Sequence, residues 1–352
     1  MPRVVGIDPG TVSIDVCGLD SGRLVLDRSW GTAEALADPD KFIHYLRSAG
    51  EPDLVAGPSG YGLPLVSADE ATDEDWRLAF LAAPGEEGGI GGLRHLARSL
   101  AGAGLRTLFL PGVVHLDTVP AHRKLNRVDL GTADKLCAAA LAIAEQAERL
   151  HRAPADTALV LLELGGAFSA AVAVEGGRIV DGLGGTSGPL GWRSSGALDG
   201  EVAFLAGTIS KDLLFQGGVE SVAAGGPAQR LAALAAYIEG AEKAVRALAA
   251  SAPSAREIVL SGRHAADVVD ALGSRFAGIA EVVPLRGFAG TAKQGAQGAA
   301  ILADGLAGGR HRDLVETLRI RHAAGSVLDH LFVVDRAAAR RRLGLDGNDQ
   351  RG

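Results

Sequence analysis

Cysteine is scarce in this sequence, and its scarcity excludes several classes of protein. Only Cys17 and Cys137 occur among the 352 residues, far apart and in apolar or helical contexts. Two such cysteines do not make a disulfide framework, so we expect buried thiols in a reducing compartment. The histidines between residues 115 and 135 lack metal-ligand spacing, which argues against a zinc site.

A basic surface, a set of stacking aromatics and a long apolar run are also missing. The net charge is −7 and aromatic residues make up 4% of the chain, so we expect no nucleic-acid partner. No apolar run is long enough to span a bilayer, and the first residues lack a signal-peptide pattern. We therefore predict a cytoplasmic protein without a membrane partner.

Two common nucleotide-binding motifs are absent as well. The chain has no Walker A lysine motif and no G-x-G-x-x-G at the start of a helix, which disfavours P-loop and Rossmann folds. A composition of 47% hydrophobic and 22% charged residues is that of a globular protein. A chain of this length suits two domains, and Pro154 and Asp156 mark a boundary between them.

A glycine-rich segment from Glu163 to Glu201 is the most informative part of the chain. It begins Glu163-Leu164-Gly165-Gly166 after an apolar strand, turns back into a second strand, and ends in a Gly/Ser/Thr loop that carries Arg193. Exposed backbone N–H groups in such a turn can bind phosphate. We predict that Glu163, Gly165 and Gly166 belong to a phosphate-binding hairpin.

A similar pattern opens the chain. Apolar residues lead to Asp8, and a Pro-Gly turn and the hydroxyls of Thr11 and Ser13 follow. We predict a matching hairpin that binds phosphate through Gly10, Thr11 and Ser13, with Asp8 holding a magnesium-bound water. The alternative is an ordinary hairpin, because Asp-Pro-Gly is common turn chemistry.

Three further stretches carry candidate binding residues. Ser261-Gly262-Arg263 ends a strand and precedes a helix, which suits a purine and ribose. Ser59-Gly60-Tyr61 follows a buried strand, where substrate commonly binds, although a tight connection would have the same sequence. Arg123 and Lys124 are either an anion site or solvated cations. Asp134, in the first turn of the next helix, is either catalytic or compensates the helix dipole.

Strand and helix patterns give the order of the remaining elements. Residues 67–92 are acidic and then glycine-rich, which predicts a surface excursion. Helices are predicted at 38–49, 93–103, 132–149, 202–214, 228–251, from about 265, at 291–306 and within 311–343. From Thr157 the order of a hairpin followed by strands and helices repeats, so two halves each offer a glycine-rich hairpin.

These motifs together resemble those of the actin, chaperone-ATPase and sugar-kinase superfamily. Its first and second phosphate motifs are similar to residues 6–11 and 163–166, its adenosine motif to residues 260–263, and its connecting helix to residues 295–300. The segments 177–181 and 188–196 resemble the acetate and butyrate kinases most, in particular an uncharacterised family known only as predicted butyrate kinases.

The resemblance implies an α/β protein of two duplicated ribonuclease-H-like domains facing across a nucleotide cleft, the actin-like ATPase fold. The first domain would span 1–155 and be completed by C-terminal helices at about 305–352. The second would span 156–304. The resemblance also implies ATP and Mg²⁺ as cofactors, and a homodimer.

Several family positions differ in this chain. Acetate kinases have Asn where Asp8 stands, and Pro58 and Ser59 occupy the region of their loop arginine. Two histidines of the family fall at Leu130 and Asp134, and the late magnesium-binding Glu has no clear match near Lys293 and Gln294. Arg193 is the one residue that matches a family catalytic position well.

We therefore expect an ATP-dependent kinase of a small molecule, with a short-chain carboxylate as acceptor. Asp8 and Glu163 would hold the metal through water, and Arg193 would neutralise the transferring phosphoryl group or the acceptor. A hydroxylated acceptor stays open, since Asp134 or Asp199 could serve as its base. A non-catalytic ATP-binding or regulatory protein of the same fold is the third alternative.

Overall fold

A computed structural model describes residues 1–10, 13–58, 60–85 and 90–345, so Thr11 and Ser59 lie outside the described residues. The chain divides into two compact units. The first comprises Met1–Val128, Thr132–Leu141 and the chain from Gly287 onward, and the second comprises Asp129–Gly131 and Ala142–Arg286.

The first unit contains a six-stranded mixed sheet. Its strands are β1 (Arg3–Pro9), β2 (Ser13–Asp20), β3 (Arg23–Gly31), β4 (Leu54–Pro58), β5 (Val66–Ser67) and β6 (Thr107–Leu110). The order across the sheet is β3-β2-β1-β4-β6-β5. β1, β2 and β3 form an antiparallel meander, and β4 and β6 continue the sheet parallel to β1.

The second unit contains a five-stranded sheet with the same plan. Its strands are β7 (Leu159–Leu164), β8 (Ser169–Glu175), β9 (Arg178–Leu183), β10 (Glu257–Ser261) and β11 (Glu281–Pro284), in the order β11-β10-β7-β8-β9. β7, β8 and β9 form an antiparallel meander, and β10 and β11 follow in parallel. The predicted duplication is thereby confirmed, with β1 and β7 as equivalent strands.

The helices connect and cover these strands. They are α1 (Thr32–Ala37), α2 (Pro39–Leu46), α3 (Asp73–Phe80), α4 (Ile90–Gly102), α5 (Ala121–Lys124), α6 (Ala133–Arg149), α7 (Gly200–Ala206), α8 (Val219–Ala223), α9 (Pro227–Ala249), α10 (Ala265–Arg275), α11 (Gln294–Leu306), α12 (Arg312–Leu318) and α13 (Arg336–Arg342). Short 3-10 turns lie at Val113–His115, Pro154–Asp156, Asp212–Phe215 and Ile320–His322.

Helix α11 is the central helix of the first unit. It packs on β1, β2 and β4, and every residue from Gly295 to Leu306 is buried. The approach to β1 is close because Gly6 has no side chain: a Cβ there would lie 2.2 Å from the Ala296 carbonyl oxygen and the Ala300 nitrogen. Gly6 on β1 and the small residues of α11 that it faces therefore fix the distance between the helix and the sheet.

Residues 67–92 differ from the predicted surface excursion, because the whole of helix α3 lies within them and packs on the sheet. A capping box starts the helix, in which the Thr72 hydroxyl accepts from the Asp75 N–H and the Asp75 carboxylate accepts from the Thr72 N–H. Trp76 is 3% exposed and packs edge-on against Phe109, with ring centroids 4.9 Å apart. The acidic residues of this segment cap a helix that buries its tryptophan.

The chain crosses between the two units at positions inside or beside regular elements. The chain leaves the first unit within α6, between Leu141 and Ala142, and returns to it at Gly287. Helix α11 is in the first unit, where it packs on β1, β2, β4 and α12.

The described residues include both cysteines and the helices relevant to a membrane span. Cys17 and Cys137 are both free and buried. Among the helices of the described part of the chain, none has the length and apolar character needed to cross a membrane.

Replacing Gly6 by alanine tests the close packing of α11. The new Cβ would overlap backbone atoms of Ala296 and Ala300 that cannot rotate away, so we expect a loss of more than about 3 kcal/mol in the free energy of unfolding. Chemical denaturation measures it. The control is Gly102→Ala in the same unit, where an added Cβ meets no atom within 4 Å. Equal stability of the two variants would contradict the packing.

Candidate functional site

The first hairpin turns tightly around Gly10. The Gly10 N–H donates to the Ser13 carbonyl at 2.8 Å, and a Cβ on Gly10 would lie 2.9 Å from that oxygen. The Thr32 hydroxyl donates to the Gly10 carbonyl at 2.8 Å. The turn is therefore closed on itself and fastened to the residue that begins α1.

The second hairpin repeats this geometry. The Gly165 N–H donates to the Phe168 carbonyl at 2.9 Å, and a Cβ on Gly165 would lie 2.9 Å from that oxygen. In each hairpin the glycine follows an acidic residue by two positions, and that residue is the penultimate one of its strand: Asp8 in β1 and Glu163 in β7. The two hairpins are thus equivalent in sequence position, strand and turn.

A cluster of charged groups surrounds Asp8 in the first unit. The Asp8 carboxyl is partly buried beside the start of α11, where a Cβ on Gly295 would lie 2.5 Å from its Oδ2. Desolvation and then the negative charge of Asp134 raise the pKa of Asp8 to about 7, and the positive charges of Lys293 and Lys135 oppose that rise.

Asp134 stands in the first turn of α6 and responds in the opposite direction. Burial works to raise the pKa of Asp134, but the Lys135 ammonium and the hydrogen bonds it receives hold that pKa below its usual value. Lys135 Nζ donates to the carboxylate at 2.6 Å, and the Thr132 hydroxyl donates at 2.5 Å. Asp134 is thus ionised at neutral pH, whereas Asp8 keeps its proton to a higher pH than Asp134 does.

Lys293 is a member of this cluster that sequence reasoning missed. Its ammonium donates to the Ser13 hydroxyl at 2.6 Å and lies 3.0 Å from an oxygen of Asp15, which is buried. The Ser13 hydroxyl also donates to Asp15 at 2.8 Å. Lys293 and Ser13 are 280 positions apart, so no local pattern could have paired them.

The predicted substrate loop lies next to the start of α6. Gly60 has a φ of 68°, and its carbonyl accepts from the Ala133 N–H at 2.9 Å. The Tyr61 N–H donates to the Ala79 carbonyl at 2.9 Å. The loop is therefore fastened both to α3 and to the helix that carries Asp134.

The adenosine motif and the second hairpin come together in the second unit. Ser261 pairs with Glu163 in the register of β10 and β7. Gly262 has a φ of 92°, and a Cβ there would lie 2.5 Å from the Leu164 carbonyl oxygen. A Cβ on Gly166 would lie 3.7 Å from Arg263 Nε. The predicted cofactor residues of this unit thus form one contiguous group.

The loop that carries Arg193 packs on the back of the second hairpin. The N–H groups of Arg193 and Ser194 both donate to the Ala167 carbonyl at 3.0 Å. The Arg193 side chain is 54% exposed, and its nearest acidic partner is Glu220 at 3.9 Å. Its guanidinium is therefore held near the hairpin by its backbone and remains accessible to a ligand.

Two other predicted residues have local structural partners. The Asp199 carboxylate caps α7 and accepts from the Glu201 and Val202 N–H groups at 2.8 and 3.3 Å. Lys124 is buried, which lowers the pKa of its ammonium, and it donates to the Leu116 carbonyl at 2.7 Å. These contacts give Asp199 and Lys124 structural roles. Their proposed roles, as a general base and as an anion-binding residue, stay predictions. Arg123 is partly exposed in the same short helix, α5.

A small apolar cavity lies against the sheet of the first unit. It has a volume of about 40 Å³ and is lined from β1, β4, β6, α3 and α4, with Pro9, Gly57, Trp76 and Ala97 among its residues. Apart from Thr107, the lining side chains that the structure describes are apolar. The cavity can accept a small aliphatic group better than a polyol.

No group of three or more His, Cys, Asp or Glu side chains among the described residues is arranged to hold a metal ion. The carboxylates at the hairpins do fit the way Mg²⁺ is usually bound, through one or two carboxylates with waters and phosphate oxygens completing the shell. The mutual repulsion of Asp8 and Asp134 is a further reason for a cation to be favourable beside Asp8.

Comparison with solved structures identifies the fold. A propionate kinase from Francisella tularensis subsp. tularensis SCHU S4 is similar with a TM-score of 0.59 and 13% identity, covering 85% of this chain and 98% of that one. Acetate kinases from Entamoeba histolytica (TM-score 0.57, 11% identity, 78% and 85% covered) and Porphyromonas gingivalis (0.56, 16%, 85% and 98%) are similar too. These likenesses confirm the predicted actin-like ATPase fold and, at such identities, the fold alone.

Sequence comparison supplies a family. No curated protein matches the chain. The family described as "Protein of unknown function (DUF1464)" matches residues 6–333, which is most of the chain. The protein is therefore a member of the DUF1464 family.

Proposed function

We propose that this protein is an ATP-dependent phosphotransferase that acts on a small-molecule acceptor. The observation that carries the proposal is the repeated hairpin, with Gly10 and Gly165 in equivalent turns two residues after Asp8 and Glu163. Two equivalent turns with an acidic residue at each strand end fit a bound phosphate chain and its metal. Because the Gly10 and Gly165 N–H groups close the turns, neighbouring backbone N–H groups would bind the phosphates. One hairpin alone would have been compatible with an ordinary turn.

The residues proposed for the nucleotide fall into three groups. The phosphate-binding residues are Gly10, Thr11, Ser13, Gly165 and Gly166, the adenosine-binding residues are Ser261, Gly262 and Arg263, and the metal-binding residues are Asp8 and Glu163 acting through water. Mg²⁺, when bound, neutralises charge on the phosphates. The chain itself contributes positioned N–H groups and cations, which is most of what phosphoryl transfer needs.

Arg193 is proposed to neutralise the transferring phosphoryl group or the acceptor carboxylate. Its guanidinium is exposed and only loosely paired with Glu220 at 3.9 Å, so little would be lost by turning to an anionic ligand. A guanidinium fork matches the two oxygens of a carboxylate or a phosphoryl group.

A short-chain aliphatic carboxylate is the proposed acceptor. A carboxylate is already ionised at neutral pH and needs no general base. The apolar cavity beside Pro9 and Gly57 supports an aliphatic tail rather than a sugar. A hydroxylated acceptor is the second candidate, and the carboxyl pair of Asp8 and Asp134 favours it, because Asp134 is ionised and could accept a hydroxyl proton.

Acceptor-dependent consumption of ATP distinguishes these alternatives. Purified protein is incubated with Mg·ATP and each of acetate, propionate, butyrate, glycerol and a hexose, and ADP formation is measured with hydroxylamine present to trap acyl phosphate. Trapped product with butyrate supports the carboxylate, and ADP formation with a polyol alone supports the hydroxyl acceptor. Nucleotide binding without turnover for any acceptor would favour a non-catalytic ATP-binding protein and contradict the proposal.

Asp8→Asn should change stability in a pH-dependent way. Because the pKa of Asp8 is raised from 3.8 to about 7, the unfolded chain loses this proton before the folded protein does. The resulting loss of stability of the folded protein is absent below the pKa that Asp8 has in the unfolded chain. It grows as the pH rises to about 7 and is complete above pH 7. We expect Asp8→Asn to stabilise the metal-free protein by about 1–2 kcal/mol near pH 8 and hardly at all near pH 4.

Thermal unfolding across this pH range measures the difference. Asp20→Asn is a control of opposite sign, because hydrogen bonds from Arg3 and Ser21 lower the pKa of Asp20 and its removal should destabilise the protein above pH 4. A pH-independent effect of Asp8→Asn would show that the two carboxyl groups do not interact as described.

Arg193→Ala should lower turnover far more than nucleotide affinity. If the guanidinium acts on the transferring group, kcat falls by about 10²–10³-fold while the Kd for ATP changes by less than about 3-fold. Arg230→Ala, an exposed arginine of α9, is the control. Unchanged turnover in Arg193→Ala would remove this residue from the mechanism.

Ala97→Leu tests the cavity as the site of the acceptor's tail. The larger side chain would fill space that a butyryl chain needs, so kcat/KM for butyrate should fall about 10-fold relative to acetate, with ATP affinity unchanged. An equal effect on both acids, measured in the same assay, would place the tail elsewhere.

A further inference from the structure

We propose that Lys293 is the cation that binds phosphate at the first hairpin, and that Asp27 and Gln297 are positioning residues that hold it there. The inference rests on the proposed function, since it assigns a residue to the phosphate chain of the same nucleotide. Lys293 immediately precedes α11, and nothing in its local sequence marks it as a ligand-binding residue.

The Lys293 ammonium lies over the turn of the first hairpin. Its Nζ would be 3.8 Å from a Cβ on Gly10, donates to the Ser13 hydroxyl at 2.6 Å, and pairs with Asp15 at 3.0 Å. An ammonium has three N–H donors, so these two contacts leave one for a ligand. The cation is therefore centred on the residues proposed to bind phosphate.

The two partners of the ion pair differ greatly in exposure. The Asp15 side chain is 2% exposed, and the Lys293 side chain is 50% exposed. A buried carboxylate thus anchors an ammonium that reaches solvent at the hairpin. The other lysine near Asp8, Lys135, is 15% exposed and paired with Asp134 at 2.6 Å, so Lys293 is the better placed of the two to meet a polyanion.

The Asp27 carboxylate holds the loop that precedes Lys293. Asp27 on β3 accepts from the backbone N–H groups of Gly290, Thr291 and Ala292, with shortest distances of 2.9, 3.0 and 2.6 Å. One carboxylate therefore satisfies three consecutive donors of the loop. Such charge-assisted hydrogen bonds are stronger than those of a solvated loop and restrict its conformation.

Gln297 holds the same loop from the first turn of α11. Its Oε1 accepts from the Phe288 and Ala289 N–H groups at 2.7 and 3.1 Å, and its Nε2 donates to the Ala292 carbonyl at 2.7 Å. The side chain is 2% exposed, so these bonds do not compete with water. Five consecutive residues before Lys293 are thus fixed by two side chains, which pre-organises the lysine for an anion.

The alternative is that Lys293 only neutralises the buried Asp15 carboxylate. This structural role predicts a different result in a binding experiment. A purely structural lysine would affect stability and would weaken adenosine and its phosphates alike. A phosphate-binding lysine affects only ligands that carry phosphate, and arginine should replace it because arginine also binds phosphate.

Calorimetric titration of the full-length protein separates the two roles. The probes are adenosine, ADP, ATP and inorganic tripolyphosphate, each with Mg²⁺. For Lys293→Gln we expect ADP, ATP and tripolyphosphate affinities to fall about 10–50-fold and the adenosine affinity to stay within about 2-fold. Lys293→Arg should recover all affinities to within about 3-fold, and Asp27→Asn should show a smaller loss confined to the phosphate-bearing probes.

Lys41→Gln is the matched control, because Lys41 is an ion-paired lysine of the same unit, 2.9 Å from Glu34 and more exposed than Lys293. It should leave all four affinities unchanged. Equal losses for adenosine and ATP in Lys293→Gln, or no loss for any probe, would overturn the assignment. Recovery of the affinities in Lys293→Arg guards against a folding artefact. If the wild-type protein binds tripolyphosphate through Lys293 but binds neither adenosine, ADP nor ATP, the ATP proposal is refuted and the assignment of Lys293 as a phosphate-binding residue is retained. A wild type that binds no phosphate-bearing probe would refute both.

Discussion

The close approach of α11 to β1 is the constraint on which the rest of the first unit depends. Backbone meets backbone at Gly6, and Gly298 on the same helix faces the Cys137 carbonyl of α6, where a Cβ would overlap that oxygen. Glycine is required at both contacts because any side chain would push the elements apart. The consequence is functional as well as structural, since α11 begins beside Asp8 and Asp134 lies in the first turn of α6.

Charge balance is the second consequence of that packing. Asp8, Asp15 and Asp134 are brought together with Lys135 and Lys293. Burial and then the negative charge of Asp134 raise the pKa of Asp8 to about 7, against the opposing charges of the two lysines. Perturbed carboxyl groups of this kind are concentrated at functional sites, although structural ion pairs also produce them. Here the perturbed group stands at the strand end that precedes the turn at Gly10, which is why we propose a metal and a polyanion beside it.

The parts of the site that could be predicted from sequence are those with local signals. Gly10 and Gly165 were recognisable because a strand, an acidic residue and a glycine turn lie within a few positions, and the two copies supported one another. Ser261 and Gly262 were recognisable as a strand end before a helix. The repeat predicted two halves with the same succession of elements along the chain, and the resemblance predicted the actin-like ATPase fold.

Other features depend on contacts that a single sequence does not reveal. Lys293 reaches Ser13 across 280 positions, and Asp27 holds a loop more than 260 positions away. The acidic composition of residues 67–92 predicts a surface segment, whereas Thr72 and Asp75 form a capping box and Trp76 is buried. Asp199 was a candidate base on chemistry alone, whereas its carboxylate caps α7, a role that requires the helix boundary to be known.

We propose that the two equivalent hairpins bind the phosphates of a nucleotide. Hydrogen exchange followed by mass spectrometry, with and without Mg·ATP, tests it most directly because the turns contribute backbone N–H groups. We expect slower exchange in the peptides that contain Gly10 and Gly165, with little change in a peptide such as α12. Unchanged exchange in both hairpin peptides at saturating nucleotide would contradict it.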